Sequence, residues 1–356
     1  MISEICMPPG DREKAVFALF DRLCWRDPVN RTALEPIVTA RTPAGVPICG
    51  VLRSPGKSYA YPIVDCVARM TPELAQRHAA WLQPLGLRPP SRREDGEMDF
   101  QSEATVDSFG FQWEWNSAMR SEADLLWRVA ERFKMTPADF KDKIVLDAGA
   151  GAGDQSRWLL DQGARVVSID LSSAIGVVAN KLRMRAGWVG VQGDITVLPF
   201  AENQFDIVYC EGVIQHTRNS ASTVRELCRV LRRHGLILAT HYAKSRSWLG
   251  RAALRWREFL RRRLSRGDRY KLLWLTGNLA AFSYVPLLGH VLRRTTVPYY
   301  ALMPDFRTTW TNTFDAYGNH TYQRYVSSEE FWRFFEEAGK MERVYQQDTV
   351  IVARKT

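Results

Sequence analysis

The chain has 356 residues, 46% of them hydrophobic and 25% charged, with a net charge of +10. That is enough apolar material for a full core and excludes a disordered protein, while the excess of positive charge asks for an anionic partner. Six cysteines (Cys6, Cys24, Cys49, Cys66, Cys210, Cys228) stand without a CxxC pair, which argues against a disulfide framework or a zinc site and fits reduced thiols in a cytoplasmic protein; no metal is expected.

At the N-terminus, MISEICMPPGDREK has no basic stretch followed by an apolar run, so no secretory or transit signal is expected. Residues 1–100 are rich in Pro and Arg, and the runs VPICGVLR and YAYPIVDCVARM predict strands of a small β unit. SEATVDSFGFQWEW then leads into a helical pattern over residues 121–133. From Ile144, strand and helix patterns alternate through KIVLDAG, QSRWLLDQG, ARVVSID, SAIGVVANKLRM, VGVQGD, FDIVYCEG, TVRELCRVLRRHG and LILATHY. This interval predicts a parallel sheet wrapped on both faces, with the strand C-terminal ends along one ligand-binding rim.

After LILATHY the regularity stops, and it resumes at VSSEEFWRFFEEAGK, where Ser327 and Glu330 form a capping box and Gly339 a stop. Two last strands, MERVYQQ and TVIVARK, are close enough to pair as an antiparallel hairpin. Between the two regular regions lies the charge: from Lys244 to Arg294 thirteen Lys/Arg face two acids, Glu258 and Asp268. There Leu249, Ala253, Trp256, Leu260 and Leu264 recur at helical spacing, with Arg251, Arg255, Arg262 and Arg266 on another face. Such a basic amphipathic helix can lie on an anionic membrane, hold a phosphate or bind nucleic acid; a solvated helix packed by its apolar side is the plain alternative. The apolar run that follows, LLWLTGNLAAFSYVPLLGHVL, is too interrupted for a membrane span.

The chemistry concentrates in VLDAGAGAGD, where a strand ends in Asp147 and Gly149, Gly151 and Gly153 let the backbone pass close to a ligand. VVSID ends the next strand in Asp170, placed to accept hydrogen bonds from a ribose diol, and GDITVLPF puts Asp194 and Ile195 at the end of a third. The glycines alternate as GxGxG rather than GxGxxG. This combination closely resembles the class I S-adenosylmethionine-dependent methyltransferases, in the branch of quinone-biosynthesis and small-molecule enzymes, over Lys143 to about Tyr242. The resemblance implies a Rossmann-like α/β fold with a seven-stranded sheet whose last strand is antiparallel. It also implies that Asp147, Gly149, Gly151 and Gly153 cradle the methionine part of S-adenosylmethionine, Asp170 with Leu171 the ribose, and Asp194 with Ile195 the adenine, with Glu211 joining the cofactor set.

In YCEGVIQHT, beside the transferable methyl in such a fold, His216 is the candidate general base and Gln215 a candidate acceptor contact; a histidine that caps the next helix or positions water is the alternative. No Asn/Asp-Pro-Pro-aromatic motif and no Pro-Cys nucleophile follows, which argues against base-amine and cytosine C5 methylation. Upstream, FGFQW reads as a lid in which Phe111 and Trp113 close over the site, with Arg120 for the methionine carboxylate. TTWTNTFDAYGNHTYQRY resembles a segment of glycan and natural-product methyltransferases and offers Asp315, Tyr317, His320 and Tyr322 for the acceptor. YAYPIVDCVARM resembles, weakly, a zinc-ribbon-like module that has here lost its metal cysteines.

The expected organisation is an N-terminal accessory module (1–100), a methyltransferase core (101–242), a helical cap insertion (243–326) and a C-terminal helix and hairpin completing the core (327–356). The expected reaction transfers a methyl group from S-adenosylmethionine to oxygen or carbon of a small acceptor, lipid-like, glycan-linked or phosphorylated. RNA methylation and a catalytically silent binding partner are the alternatives.

Overall fold

A computed structural model describes residues 18–91, 100–116, 120–265, 267–297 and 306–356, with the backbone alone for 100–104. The leader sequence, Cys6 and Arg266 lie outside the described residues. In chain order the first elements are α1 (Leu19–Arg22), β1 (Glu35–Arg41), β2 (Pro47–Arg53), β3 (Ala60–Val64), β4 (Val67–Arg69), α2 (Pro72–Gln76) and α3 (Ala79–Leu82). Helices α4 (Phe100–Trp115) and α5 (Glu122–Trp127) lead into β5 (Ile144–Ala148), α6 (Asp154–Asp161), β6 (Arg165–Asp170), α7 (Ala174–Leu182), β7 (Trp188–Gln192), β8 (Phe205–Cys210), α8 (Ser220–Val230) and β9 (Leu231–Thr240). The cap is helical: α9 (Trp248–Leu264), α10 (Arg269–Phe282), α11 (Leu288–Thr295) and α12 (Phe306–Tyr317). The chain returns to the sheet through α13 (Ser328–Ala338), β10 (Met341–Gln347) and β11 (Val350–Lys355).

All the strands belong to one sheet, in the order β1-β2-β3-β4-β7-β6-β5-β8-β9-β11-β10. The seven strands from β7 to β10 are the expected set: β5 to β9 run parallel, β11 inserts antiparallel beside β9, and β10 pairs outside it. The four N-terminal strands, expected as a module of their own, continue this sheet, because β4 pairs parallel with β7 through Val67↔Gly190 to Arg69↔Gln192. Their apolar faces enter the same core: Phe20, Trp25, Leu52 and Tyr61 pack in one cluster with Leu146, Ile169 and Phe200. A second tie runs over the sheet, where Arg26 N–H donates to Pro199 O and Ala201 N–H to Cys24 O.

The β3–β4 hairpin turns at Asp65 and Cys66, both with positive φ (53° and 65°), as a two-residue hairpin of the right-handed sheet requires. The capping box at Ser327 and Glu330 opens α13 as expected. SEATVDSFGFQWEW, read as a lead-in to a helix, is itself inside α4.

The cap has a small core of its own, in which Leu272 of α10 and Phe314 and Tyr317 of α12 pack with Phe111 of α4 and Leu260 and Leu264 of α9. Among the described residues, no helix is long and apolar enough to cross a membrane, and no cluster of three or more His, Cys, Asp or Glu side chains is arranged to hold a metal.

Candidate active site

A cavity of about 480 Å3 opens where β5, β6, β7 and β8 end, and Gly149, Asp170, Asp194 and Glu211 line it. Leu171 and Ile195 line it as well, so one residue from each of four neighbouring strand ends meets there. The parallel order of the sheet is what gathers them, since each strand ends on the same rim.

The loop after β5 is held by the next strand. Gly149 and Ala150 N–H both donate to Ile169 O, and Gly151 N–H donates to Asp170 Oδ2 at 2.9 Å. Asp170 Oδ1 accepts from Ser172 N–H (2.9 Å) and from Ser172 Oγ–H (2.6 Å). The carboxylate is thus aimed by its own loop while Oδ2 keeps a lone pair for a ligand. Gly149 has φ +87°, and a Cβ there would lie 2.3 Å from Val213 Cγ2. Gly151 packs against the Trp113 indole, and Gly153 sits at the start of α6 against Val178. Neither lines the cavity: these two glycines serve the close packing of the loop, and Gly149 alone of the three reaches the open space.

The strand-end acids differ sharply in environment. Asp147 does not face the cavity, contrary to expectation. It is buried behind the loop, where Ser156 Oγ–H donates to it at 2.5 Å and Ser156, Ser168 and the Trp188 indole N–H continue the network; burial pushes its carboxyl up to about 7. Burial also raises Asp170 and Asp194, and Asp194 Oδ1 accepts Thr196 N–H at 2.8 Å. Glu211 goes the other way: against the upward pull of burial, Arg128 and Arg132 hold it down at about 2. Arg128 Nη1 donates at 2.9 Å, Arg132 contacts the same oxygen, and Tyr209 Oη–H donates to the other at 2.5 Å. Both arginines come from a π-helical turn, Arg128–Arg132, that continues α5. Arg120 lies near this cluster without lining the cavity; its backbone N–H donates to Asp154 Oδ2 at 3.2 Å.

The opposite wall is apolar. Helix α4 presents Thr105, Val106, Phe109 and Trp113, spaced to share one face. Phe109, rather than Phe111, turns to the site; Phe111 packs in the cap against Phe314. The N-terminal strands and loops supply Pro28, Val29, Met70 and Pro72. Asp27, fully buried, fixes that loop by accepting from Tyr59 Oη–H (2.6 Å), Tyr61 Oη–H (2.8 Å) and Val29 N–H (2.8 Å). No motif marks Asp27 in the sequence, and Phe109 lies in the FGFQW segment without being told apart from Phe111; only tertiary contact separates them.

His216, on a 3-10 turn after β8, lines the cavity. Its Nδ1 lies 3.0 Å from Tyr322 O, which makes Nδ1–H the donor and leaves Nε2 with its lone pair; Nε2 is buried with no partner among the described residues. Burial, then the neighbouring His320, lowers its pKa to about 3. Phe109 packs edge-on against it at 5.2 Å and stacks on His320 at 4.5 Å.

Of the expected acceptor residues, Trp113 and Tyr322 line the cavity, while Gln215, Asp315, Tyr317 and His320 do not. Gln215 is buried beside His216 with both amide atoms unpartnered among the described residues. His320 stands behind His216, its Nε2 2.7 Å from Asp315 O and 3.4 Å from Asp315 Oδ1. Tyr317 belongs to the cap core and donates to Thr296 O at 2.7 Å.

Residues 146–239 match a family model described as a methyltransferase domain. Over 99 residues the chain is 38% identical to a malonyl-[acyl-carrier protein] O-methyltransferase of Enterobacter lignolyticus, covering 28% of this chain and 39% of that one. Over 130 residues it is 33% identical to a demethylmenaquinone methyltransferase of Beutenbergia cavernae, covering 36% and 52%. The chain thus spans about half or less of the length of these relatives. Among solved structures, 1,6-didemethyltoxoflavin-N1-methyltransferase of Burkholderia thailandensis aligns over 75% of this chain and 94% of its own, at 13% identity and a TM-score of 0.44.

Proposed function

We propose that the protein, whose residues 146–239 match a methyltransferase domain, uses S-adenosylmethionine to methylate oxygen or carbon of a small, largely apolar acceptor. The observation that carries the proposal is the joining, in one cavity, of the strand-end acids Asp170 and Asp194 with an aromatic wall and the unpartnered Nε2 of His216.

The residues present fit the cofactor. Burial raises both Asp170 and Asp194, and the hydroxyls of a ribose and the amino group of an adenine are the donors that stabilise such buried carboxylates. Ile195 gives the ring an apolar partner, and the bare Cα of Gly149 leaves room where a side chain would strike Val213. When bound, S-adenosylmethionine supplies a methyl group on a sulfonium, activated for in-line attack.

The chain's own part is to orient and desolvate. Phe109, Trp113 and Val213 exclude water from the acceptor side. His216 Nε2 accepts the hydrogen bond of an acceptor hydroxyl and takes its proton as the oxygen attacks; the Nδ1–H···O=C bond to Tyr322 holds the tautomer that permits this. The positive charge arriving on His216 is answered by Asp315. Against the upward pull of burial, the hydrogen bond from His320 keeps the Asp315 carboxyl below its ordinary value.

The relatives include enzymes named for O-methylation and for demethylmenaquinone, and the apolar acceptor wall suits a lipid-like molecule of that general kind. The cap then serves a lipid-bearing surface or a phosphate on the acceptor, with nucleic acid less favoured.

Methyl transfer from radiolabelled S-adenosylmethionine into cell extract, separated into lipid, small-molecule, protein and nucleic-acid fractions, tests the reading; label confined to nucleic acid or absent throughout contradicts it. With the acceptor in hand, His216→Gln should lower kcat by about 10²–10⁴ with cofactor affinity unchanged. Because the pKa of His216 is drawn to about 3, the wild-type rate should show no limb near ~6.5; a His216-dependent limb there would contradict the buried, neutral state of the imidazole, and an undiminished kcat in His216→Gln would contradict its role as base.

A further inference from the structure

Helix α9 is apolar on two sides, one packed on the cap core through Leu260 and Leu264 and the other turned to water. At 100° per residue, Trp248, Ala252, Trp256, Phe259 and Arg263 fall on one stripe, and this stripe faces solvent: Trp248 is 70% exposed and Phe259 47%. Leu249 and Trp256, expected on the packed side, are exposed as well. The inward side puts Leu260 and Leu264 in the cap core and, beside them, buries an arginine. Arg261, 8% exposed, donates to His320 O at 2.6 Å and grips Glu258 through Nε and Nη2, both at 2.8 Å. A helix whose inner face is already packed and whose outer face shows water two tryptophans and a phenylalanine has a second partner to satisfy.

We propose that this outward face docks the protein on an anionic lipid bilayer. The charge is complementary. Arg251, Arg255, Arg262 and Arg263 are exposed on α9, and the helix's single acid, Glu258, is already paired with Arg261 and Arg262. Arg263 lies over the Phe259 ring at 4.8 Å, and Trp256 stacks on Phe259 at 5.8 Å, so cation and aromatic are interleaved as at a headgroup boundary. Helix α11 packs beside α9 and adds protruding aliphatics, with Leu287 87% exposed and Leu288 and Val291 exposed, followed by Arg293 and Arg294 in its last turn.

A phosphate of the acceptor is not what this face holds, because no residue of α9, α10 or α11 lines the cavity. Nucleic acid would use the arginines but leave Leu287, Leu288 and Val291 in water. At about 25 Å, α9 lies along a bilayer surface rather than through it.

The inference rests on the reading of the cap as the element that serves a lipid-bearing surface. The full chain should co-sediment with vesicles of phosphatidylcholine containing about 30 mol% phosphatidylglycerol, and at least about tenfold less with phosphatidylcholine alone. The variant Trp248→Ser/Trp256→Ser/Phe259→Ser and the variant Arg251→Gln/Arg255→Gln/Arg262→Gln/Arg263→Gln should each lose about tenfold in vesicle affinity while binding S-adenosylmethionine as the wild type does, which also shows that they fold. Equal binding to neutral and anionic vesicles, no binding, undiminished binding by both variants, or RNA displacing the vesicles would overturn the proposal. Methyl transfer to a detergent-dispersed acceptor is measured in parallel, so vesicle binding without transfer counts against the enzymatic reading alone, and transfer without vesicle binding against the docking alone.

Discussion

Asp147 and Glu211 end adjacent strands, yet their carboxyls are driven in opposite directions. Glu211 has two guanidiniums to offset its burial, whereas Asp147 has one serine hydroxyl and feels the nearby Asp170. A carboxyl whose folded pKa is raised contributes stability that is full below its unfolded pKa and is lost as pH rises through the folded value, here about 7. Asp147→Asn, which keeps an acceptor for Ser156, should therefore flatten this loss. Urea unfolding at several pH values should find the variant gaining on wild type between pH ~4 and ~8 by on the order of 4 kcal/mol, and a pH-independent difference would refute the buried, uncompensated acid. The alternation of strand and acid made Asp170, Asp194 and Glu211 legible in the sequence. It could not separate Asp147 from them, because which side of a strand end faces the ligand depends on the loop that follows. Nor could it separate the glycines that pack from the one that reaches the cavity.

The loop between β5 and α6 works as a unit with the end of β6, through the Gly151 N–H to Asp170 bond. If Asp170 holds the ribose as proposed, Asp170→Ala removes both that contact and this brace, so cofactor affinity in calorimetry should fall by more than about tenfold. Asp170→Asn keeps one acceptor oxygen for the brace and should fall less; equal losses would mean that the carboxylate's ligand contact, not the brace, carries the effect, and no loss would remove it from the site. The parallel strands and α6 to α8 were readable from periodicity because a buried parallel sheet imposes it. α4 was not. It is apolar on several sides because it meets the cavity on one face and the cap on another. α9 was readable as a basic amphipathic helix, and Leu260 and Leu264 pack as its spacing required; what periodicity missed is that Arg261 is buried beside them while Leu249 and Trp256 are exposed.

At the scale of the molecule, the N-terminal strands are at once an extension of the sheet and a wall of the site. β4 covers the edge of β7, and Pro28, Val29, Met70 and Pro72 complete the cavity. Deleting residues 1–91 should leave a chain that is largely insoluble or expanded by gel filtration and fails to retain S-adenosylmethionine, since the deletion bares a strand edge and removes Phe20, Trp25, Leu52 and Tyr61 from the core cluster; a compact, cofactor-binding remainder would make the unit a true accessory. The pairing of Val67 with Gly190 also sets a timetable. A ribosome working at about 5–20 residues per second reaches β7 roughly 6–25 s after β4 has been made, and for that interval the early strands present an unpaired edge to the cell, which makes the newborn chain a client for whatever shields nascent β-edges before the mature sheet can take it in.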